Sequence, residues 1–384
     1  MFAIFNSLVF NGMGRVNTGK DGRPKHLSLG LGDERPYESG QKIRHGHRDG
    51  LRKAGYKMSV RTRVLIDEMV KLALTKSEKA ASDKTAAAIF CKAVLVKFLG
   101  HSTKKKDIKE KKGAPEKTTE EIAAAAALEK EEENIEITSY SRREYDGLKQ
   151  IASDRGAGKK VDIDKLDLVF TNVLEQLTDD DIELDLFLYG RMRPTKITGA
   201  LKTGAILGIT PCSDERDFLR AMDDLVDYRV SDKGAAHCGE RKWYGTFTGY
   251  GCSVLDIDAL SRYYKGNKAK INKALQACLD NVIQHAPKSD SVDCPANQGE
   301  TLYVQVIKTD KPFNLELAFQ TPVGTPQDGI KALKEYYDAR EAAYKEEAEE
   351  GTANAYVPNT CADWTILPNV SAGSLKDLKK FVSI

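Results

Sequence analysis

Strand-like stretches alternate with helical patterns along this 384-residue chain, and this alternation narrows the possible folds more than any other feature. Strands are predicted at Phe2–Phe10, Ile135–Ser139, Glu183–Tyr189, Trp243–Asp256 and Thr301–Lys308. Helices are predicted at Lys42–Lys53, Ser59–Leu74, Lys79–Leu99, Asp162–Leu177, Asp258–Tyr264, Lys268–Gln284 and Ala332–Glu349, with two short ones within 196–228. Strands interleaved with helices in this way predict an α+β core that carries insertions.

Residues 102–136 have a composition of their own. The stretch STKKKDIKEKKGAPEK is a lysine-rich linker, and TTEEIAAAAALEKEEEN predicts an Ala/Glu helix that opens on a capping box at Thr118–Glu121. We therefore expect an insertion on the outside of the core. No run of 18 apolar residues predicts a membrane span. The seven cysteines include no CxxC pair, which predicts free thiols in a reducing cytoplasm.

Positive charge is concentrated near the beginning of the sequence. Residues 1–63 hold 13 Lys/Arg and five Asp/Glu, a balance of +8, whereas the whole chain carries only +2. Arg44, Arg48 and Arg52 are spaced by four, so on a helix their guanidinium groups form one ridge about 12 Å long. A basic Gly-rich loop containing Arg15 and Lys25 precedes them. Because such a ridge suits a row of phosphates, the sequence predicts a nucleic-acid partner.

No residue pattern predicts a catalytic or metal centre. His45 and His47 are two residues apart, so on a helix they face different directions. His237 and Cys238 are adjacent, and no further ligand or base lies nearby in the sequence. The run Asp179–Asp181 is interpreted as a solvated turn. We expect no cofactor.

Five motifs, in order, carry a resemblance to a known family. They are Gly22-Arg23-Pro24-Lys25 followed by Ser39-Gly40-Gln41 with Arg44 and Arg48, then Arg61-Thr62-Arg63, LFLYGRM at Leu186–Met192, DFLRAMDDL at Asp217–Leu225, and GAAHCGERKWYGTFTGYGCSVLDIDAL beginning at Gly234. In this order they resemble the CRISPR Cascade backbone subunit, the CasC group of the Cas-seven RAMP proteins, type I-E-like. The Phe313–Pro322 stretch, interpreted as a strand, and the charged helix after it fit as well.

The resemblance implies an RRM-like (ferredoxin-like) palm with a helical fingers insertion and a thumb hairpin. The palm with its thumb would span 1–75 and 135–384, with the thumb at about 193–225 and the fingers at 76–134. Copies of such a subunit stack along one CRISPR RNA and present it for pairing with target DNA. The implied partners are the CRISPR RNA, target DNA through the guide, further copies of the chain, and the large, small, five-prime-end and repeat-processing Cascade subunits.

The resemblance also implies a set of RNA contacts. Ser39, Gln41, Arg44 and Arg48 would hold the guide backbone, Lys25 would contact it from the loop, and Met192 and Phe218 would wedge beside a displaced base. The remaining predicted contacts are Arg15, Asn17, Lys42, Arg52, Arg63, Arg191, Leu219, His237 and Arg241. The chain departs from the family pattern at Gly14-Arg15-Val16-Asn17, at Gly40, where a Ser is usual, and where Arg replaces Lys.

The residues alone allow three functions. The first is a non-catalytic RNA-binding subunit. The second is a type III-like backbone subunit that also cleaves target RNA, for which Asp21 or Asp33 could assist the attack. The third is a metabolic enzyme of ferredoxin-like fold, which the lack of a convergent nucleophile–base or ligand set disfavours.

Overall fold

The structure is a computed structural model. It describes residues 1–11, 25–28, 34–62, 64–74, 81–98, 138–162, 183–191, 196–222, 235–284, 300–344, 353–356 and 375–384. The strands are β1 (Phe2–Asn11), β2 (His26–Ser28), β3 (Glu34–Glu38), β4 (Val60–Thr62), β5 (Thr138–Tyr140), β6 (Leu201–Gly208), β7 (Asp214–Met222), β8 (Ala235–Tyr244), β9 (Phe247–Asp256), β10 (Glu300–Thr309) and β11 (Ala353–Tyr356). The helices are α1 (Gly40–Lys53), α2 (Leu65–Ala73), α3 (Ala81–Phe98), α4 (Arg142–Gly156), α5 (Leu184–Tyr189), α6 (Ile257–Tyr263), α7 (Lys268–Gln284), α8 (Pro326–Tyr344) and α9 (Leu375–Val382).

The chain divides into two compact units. Unit 1 consists of Met1–Tyr56 and Ala200–Ile384, and unit 2 of Lys57–Gly199. The described residues thus combine strands and helices, as the α+β prediction required. The palm, fingers and thumb boundaries stay a prediction.

Unit 1 is built on one antiparallel sheet with the strand order β11-β10-β1-β9-β6-β3-β2. β1 lies between β10 and β9, so that Phe5 is opposite both Val306 and Ser253. Its apolar side chains are buried on both faces of the sheet. Ile4 and Leu8 pack in a cluster with Leu333 of α8, whereas Val9 packs with Ile43 of α1. Burial on both faces explains why this strand is apolar almost throughout.

Unit 2 has a separate helical core. Met69 of α2, Cys91 of α3 and Leu148 of α4 pack in one cluster, and each is at most 1% exposed. Beside them β4 pairs with β5, with Arg61 opposite Ser139. Helix α4 begins with a complete capping box, in which Ser141 and Glu144 bond reciprocally.

Several predicted elements are confirmed. β1, α1, α3 and β10 lie within one or two residues of their predicted bounds, and α7 coincides with Lys268–Gln284. The predicted Ser59–Leu74 helix is shorter, because β4 occupies its beginning. The Trp243–Asp256 strand is interrupted by a turn at residues 245–246. The predictions for 102–136 and for 163–177 lie outside the described residues.

Three predictions of secondary structure are wrong. Glu183–Tyr189 was predicted as a strand, but Leu184–Tyr189 is the helix α5, whose residues 184–188 are all buried. The short helices predicted in 196–228 are the strands β6 and β7. The Phe313–Pro322 strand is replaced by a 3₁₀ turn at Glu316–Phe319.

Candidate nucleic-acid interface

The N-terminal end of α1 has features that favour an anion. Ser39 precedes the helix with extended backbone angles, and its hydroxyl makes no capping bond. The first turn contains no acidic side chain, whereas the last turn contains Arg52 and Lys53. The first backbone N–H groups of a helix have no partner within the helix, and the helix dipole places partial positive charge there. Ser39 and Gln41 therefore lie where a phosphate would be favoured.

Gly40 allows this end of α1 to approach β6 closely. A Cβ atom built at Gly40 would lie 2.7 Å from the carbonyl oxygen of Thr203 and 3.2 Å from that of Gly204. Both are backbone atoms, which cannot rotate away. A residue without a Cβ atom at this position therefore has a steric reason in this fold.

The predicted arginine ridge lies on α1. His47, Gly50 and Leu51 of this helix are buried, whereas Gln41 and Arg52 are exposed and Arg44 and Arg48 are half-buried. At 100° per residue, Gln41, Arg44, Arg48 and Arg52 share one stripe beside the buried one. The arginine ridge thus extends along a side of α1 that is partly or fully exposed to solvent.

The cations of α1 differ in their partners. Arg44 donates from Nε to the carbonyl oxygen of Gly40 at 3.2 Å, and within the described residues it pairs with no carboxylate. Arg52 pairs with Asp49 at 3.0 Å, and the Lys42 ammonium lies 3.8 Å from the buried Glu38. Arg44 is accordingly better placed than Arg52 to exchange its partners for a phosphate.

Lys25 lies close to the beginning of α1 although 14 positions separate it from Ser39. The Tyr37 amide donates to the Lys25 carbonyl oxygen at 3.2 Å. β3 then ends at Glu38, and Ser39 leads directly into the helix. Two residues of strand span about 7 Å. The structure therefore brings the backbone of the loop motif next to the helix motif.

Four further predicted contacts lie on the hairpin of β7 and β8. In its register Phe218 is opposite Glu240, Leu219 opposite Gly239, and Asp217 opposite Arg241. His237 is opposite Arg220, just beyond a register shift between Leu219 and Arg220. One hairpin therefore carries Phe218, Leu219, His237 and Arg241, which come from two separate sequence motifs.

Arg191 requires a correction. Its guanidinium forms a bidentate pair with Glu144, in which the two side chains are 2% and 0% exposed. The same guanidinium donates to the carbonyl oxygen of Ser139 at 3.3 Å. A buried, paired guanidinium does not reach a nucleic acid, so we assign Arg191 a structural role and remove it from the proposed contacts.

Four predicted contacts, Arg15, Asn17, Arg63 and Met192, lie outside the described residues, as do Asp21 and Asp33. Among the described side chains, no group of three His, Cys, Asp or Glu could hold a metal ion. His45 is exposed and His47 is 3% exposed, in agreement with two different helix faces. None of the described helices is long and apolar enough to cross a membrane.

Comparisons with known proteins decide the family. Residues 13–380 match the family described as CT1975-like protein, Cas_CT1975. The chain belongs to the CT1975-like family. The predicted resemblance is thereby confirmed. No curated protein matches this CT1975-like chain.

Two solved structures resemble the fold of the CT1975-like chain. One is a chain of a "CRISPR RNA-guided surveillance complex, pre-nicking", with a TM-score of 0.71 and 18% identity over 100% of this chain and 99% of the other. The second is a chain of a "CRISPR RNA-guided surveillance complex", with a TM-score of 0.55 and 13% identity over 100% and 98%. At these identities the likeness describes the fold.

Sequence reasoning missed the partner of Arg191 in the CT1975-like chain. The sequence does show the role of Glu144 as a helix cap, because Ser141-x-x-Glu144 matches the capping-box pattern that marks the beginning of a helix. That pattern identifies Glu144 as a cap but carries no information about a partner 47 positions away. The ion pair therefore becomes visible only in the folded chain.

Proposed function

We propose that this chain is a non-catalytic, CRISPR RNA-binding backbone subunit of a Cascade-type surveillance complex. In this role it oligomerises along the guide RNA and presents the guide for pairing with target DNA. The observation that carries the proposal is the juxtaposition of Lys25 with the beginning of α1, where Ser39, Gln41, Arg44 and Arg48 follow one another along the helix. Membership of the CT1975-like family and the fold of the surveillance-complex chains support it.

An RRM-like palm is supported by the strand order. In sequence, β1, α1, β6, β9, α7 and β10 follow the pattern β-α-β-β-α-β. In space these four strands are ordered β10-β1-β9-β6, all antiparallel. The fourth strand thus lies beside the first and the second at the far edge, as in ferredoxin-like sheets.

Guide binding would be mainly electrostatic. The N-terminal end of α1 offers backbone amides and the Ser39 hydroxyl, and Arg44 and Arg48 offer planar forks that bind phosphate oxygens in pairs. None of these groups reads a base, so the contacts suit any guide sequence. Each neutralised phosphate releases counterions, and binding should weaken steeply with salt.

The predicted thumb of about 193–225 contains β7, and we propose that β8, which pairs with it, belongs to the thumb as well. Phe218 and Leu219 on one strand and His237 and Arg241 on the other would contact the guide at the boundary between copies. The remaining bases would stay available for target pairing, and the other Cascade subunits would complete the complex in the cytoplasm.

The experiment is to purify the protein from its own host and to sequence the RNA that accompanies it. A uniform population with repeat-derived ends is expected. Random cellular RNA, or no RNA, would contradict a guide-binding role.

The type III-like alternative is tested on the same preparation. The assembled complex is incubated with complementary RNA and Mg²⁺, and intact RNA is expected. Cuts at a regular spacing that disappear on Asp21→Ala or Asp33→Ala would show a cleaving subunit instead.

A further inference from the structure

The strand that leads into α1 has few backbone bonds to the rest of the sheet. β3 pairs with β6 at Tyr37 and Glu38, and β2, its other neighbour, is the last strand of the sheet among the described residues. Pro36 has no backbone N–H and does not extend the ladder. The position of the β2–β3 pair, which holds Lys25 through the Tyr37 amide, therefore depends on further contacts.

Arg35 of β3 makes such a contact. Its side chain is 3% exposed. Its guanidinium donates from Nη1 to the carbonyl oxygen of Phe319 at 2.5 Å and from Nη2 to that of Gln320 at 2.8 Å. One planar group thus binds two successive carbonyl oxygens at the end of the segment that we call the Leu315–Gln320 turn. Two bonds from a rigid fork fix both the distance and the direction of β3 relative to this turn.

The other end of the Leu315–Gln320 turn is fixed to the centre of the sheet. The Leu315 amide donates to the Tyr250 hydroxyl at 3.1 Å, and this hydroxyl donates to Oδ1 of Asn6 at 2.7 Å. The ring centres of Tyr250 and Phe319 are 5.0 Å apart. Tyr250 belongs to β9 and Asn6 to β1, and both are at most 3% exposed. The turn is therefore held by the core of unit 1.

These bonds join the centre of the sheet to the candidate nucleic-acid interface. The connection passes from Tyr250 through the Leu315–Gln320 turn to Arg35. Two residues further along β3, the Tyr37 amide holds the Lys25 carbonyl oxygen at 3.2 Å. Without the Arg35 bonds the β2–β3 pair would keep its contact with β6 and lose its contact with the turn. The Lys25 backbone would then be less firmly held beside the beginning of α1.

We propose that Arg35 is a positioning residue for guide binding, which holds the β2–β3 pair so that Lys25 lies beside the beginning of α1. The inference rests on the proposed function. Arg35 is buried and bound to carbonyl oxygens, so it acts through Lys25 and not on a phosphate. A site that is already ordered when the RNA arrives binds more tightly, because less conformational freedom is lost on binding.

The test is the affinity of the full-length chain for a fluorescein-labelled single-stranded RNA, measured by fluorescence anisotropy over a series of salt concentrations. Arg35→Met keeps an apolar stem and removes the fork. We expect affinity to fall about tenfold, because the site must now be ordered during binding. The slope of log affinity against log salt should become shallower by about 0.7, the contribution of one single-strand phosphate contact. A purely structural role would lower the melting temperature and leave this slope unchanged.

A double-mutant cycle with Lys25→Ala tests whether Arg35 acts through Lys25. If it does, the double variant should bind RNA no more weakly than Arg35→Met alone, whereas independent effects would multiply. Tyr250→Phe removes the hydroxyl at the other end of the Leu315–Gln320 turn and keeps the ring. It should show a smaller loss of affinity with the same non-additivity toward Lys25→Ala.

Arg155→Met is the matched control. The Arg155 guanidinium also donates to a backbone carbonyl oxygen, that of Ala73, and both residues belong to unit 2. We expect this variant to melt at a lower temperature than the wild type and to bind RNA with unchanged affinity and salt slope. Thermal melting of every variant sets an assay temperature at which each is folded.

The outcomes separate the inference from the proposed function. Wild-type affinity and slope in folded Arg35→Met, or losses that multiply with those of Lys25→Ala, overturn the inference alone. If Arg35→Met does not fold, Tyr250→Phe decides, and wild-type affinity in that variant overturns the inference. A wild-type chain that binds no RNA overturns the proposed function and the inference with it.

Discussion

The Arg191 guanidinium and the Glu144 carboxylate face each other in a fully buried fork, with Nη2 and Oε1 2.6 Å apart. Glu144 also accepts from the Ser141 amide at 2.8 Å, so one carboxylate both caps α4 and neutralises the arginine. Arg191, the next-to-last residue of the motif LFLYGRM, is therefore held in a buried ion pair within unit 2.

Removing one partner of this pair should destabilise the protein strongly. Glu144→Ala leaves a buried guanidinium without its counter-charge, and we expect a loss of about 3–5 kcal/mol in the free energy of unfolding. Urea denaturation measures it. Glu335→Ala, which breaks an exposed pair with Lys331, serves as the control and should have no measurable effect. Similar losses in the two variants would contradict a structural role for the buried pair.

Two glycines of α1 should respond in opposite directions to alanine. Gly40→Ala places a methyl group against the Thr203 carbonyl oxygen and should cost about 1–3 kcal/mol, with weaker RNA binding as the helix end moves. Gly46 has nothing within 4 Å of its Cβ direction, so Gly46→Ala should raise stability by up to about 1 kcal/mol. Thermal melting and RNA titration of both variants test this. Equal effects at the two positions would show that α1 does not approach β6 as described.

The ridge of α1 should be dispensable for folding and required for assembly. Arg44→Ala with Arg48→Ala should leave the melting temperature of the free subunit unchanged and abolish filament formation on RNA, because two phosphate-binding forks are lost. Thermal melting measures the stability of the free subunit. Electron microscopy measures filament formation, and filter binding measures RNA binding. The control is Arg142→Ala with Arg143→Ala, two exposed arginines at the beginning of α4. Normal filaments in the Arg44/Arg48 variant would locate the RNA elsewhere.

The stability of unit 2 should depend on pH through the carboxyl group of Glu183. Burial raises the pKa of this carboxyl above its usual 4.5, the Arg142 amide acts in the opposite direction, and the charges of Asp185 and Glu144 raise it further. Within the described residues, Oε1 accepts from the Arg142 amide at 2.7 Å, whereas Oε2 has no partner. Because the folded state favours the protonated carboxyl, its stabilising effect is complete below pH 4.5 and is lost as the pH rises through the folded pKa.

Glu183→Gln mimics the protonated carboxyl. We expect its free energy of unfolding to exceed that of the wild type at neutral pH, and the difference to disappear below pH 4.5. Urea midpoints across this range provide the measurement. A variant less stable than the wild type at neutral pH would mean that the charged form is the favoured one.

Amphipathic helices were predictable because their exposed faces are visible in the sequence. α1 and α7 each have one buried and one solvated stripe, and the 3.6-residue period reveals them. α5 has no such stripe, since Leu184 to Leu188 are all buried, and its apolar run is equally compatible with a strand.

Strands with irregular pairing were not predictable. β6 shifts its register against β9 between Thr203 and Ile206, so its burial does not alternate. Its Ile206 packs where Gly249 and Gly251 of β9 have no side chain, and a Cβ at Gly249 would lie 2.4 Å from Ile206. Such complementarity between distant segments leaves no periodic signal in either one.

The charge of the candidate site could be predicted from the sequence, whereas the spatial arrangement of its residues could be predicted only in part. The charge and spacing of Arg44 and Arg48 follow from the sequence alone. Proximity of Lys25 to Ser39 depends on the pairing of Tyr37, and the burial of Arg191 depends on Glu144; neither follows from local sequence.

The central place of β1 has a consequence for biosynthesis. Its two neighbours, β9 and β10, end at Asp256 and Thr309, about 250 and 300 positions later in the chain. A nascent polypeptide on the ribosome therefore exposes the unpaired, hydrophobic β1 until β9 and β10 have been synthesised. Chaperones that shield such segments would act on this stage, long before any assembly partner could.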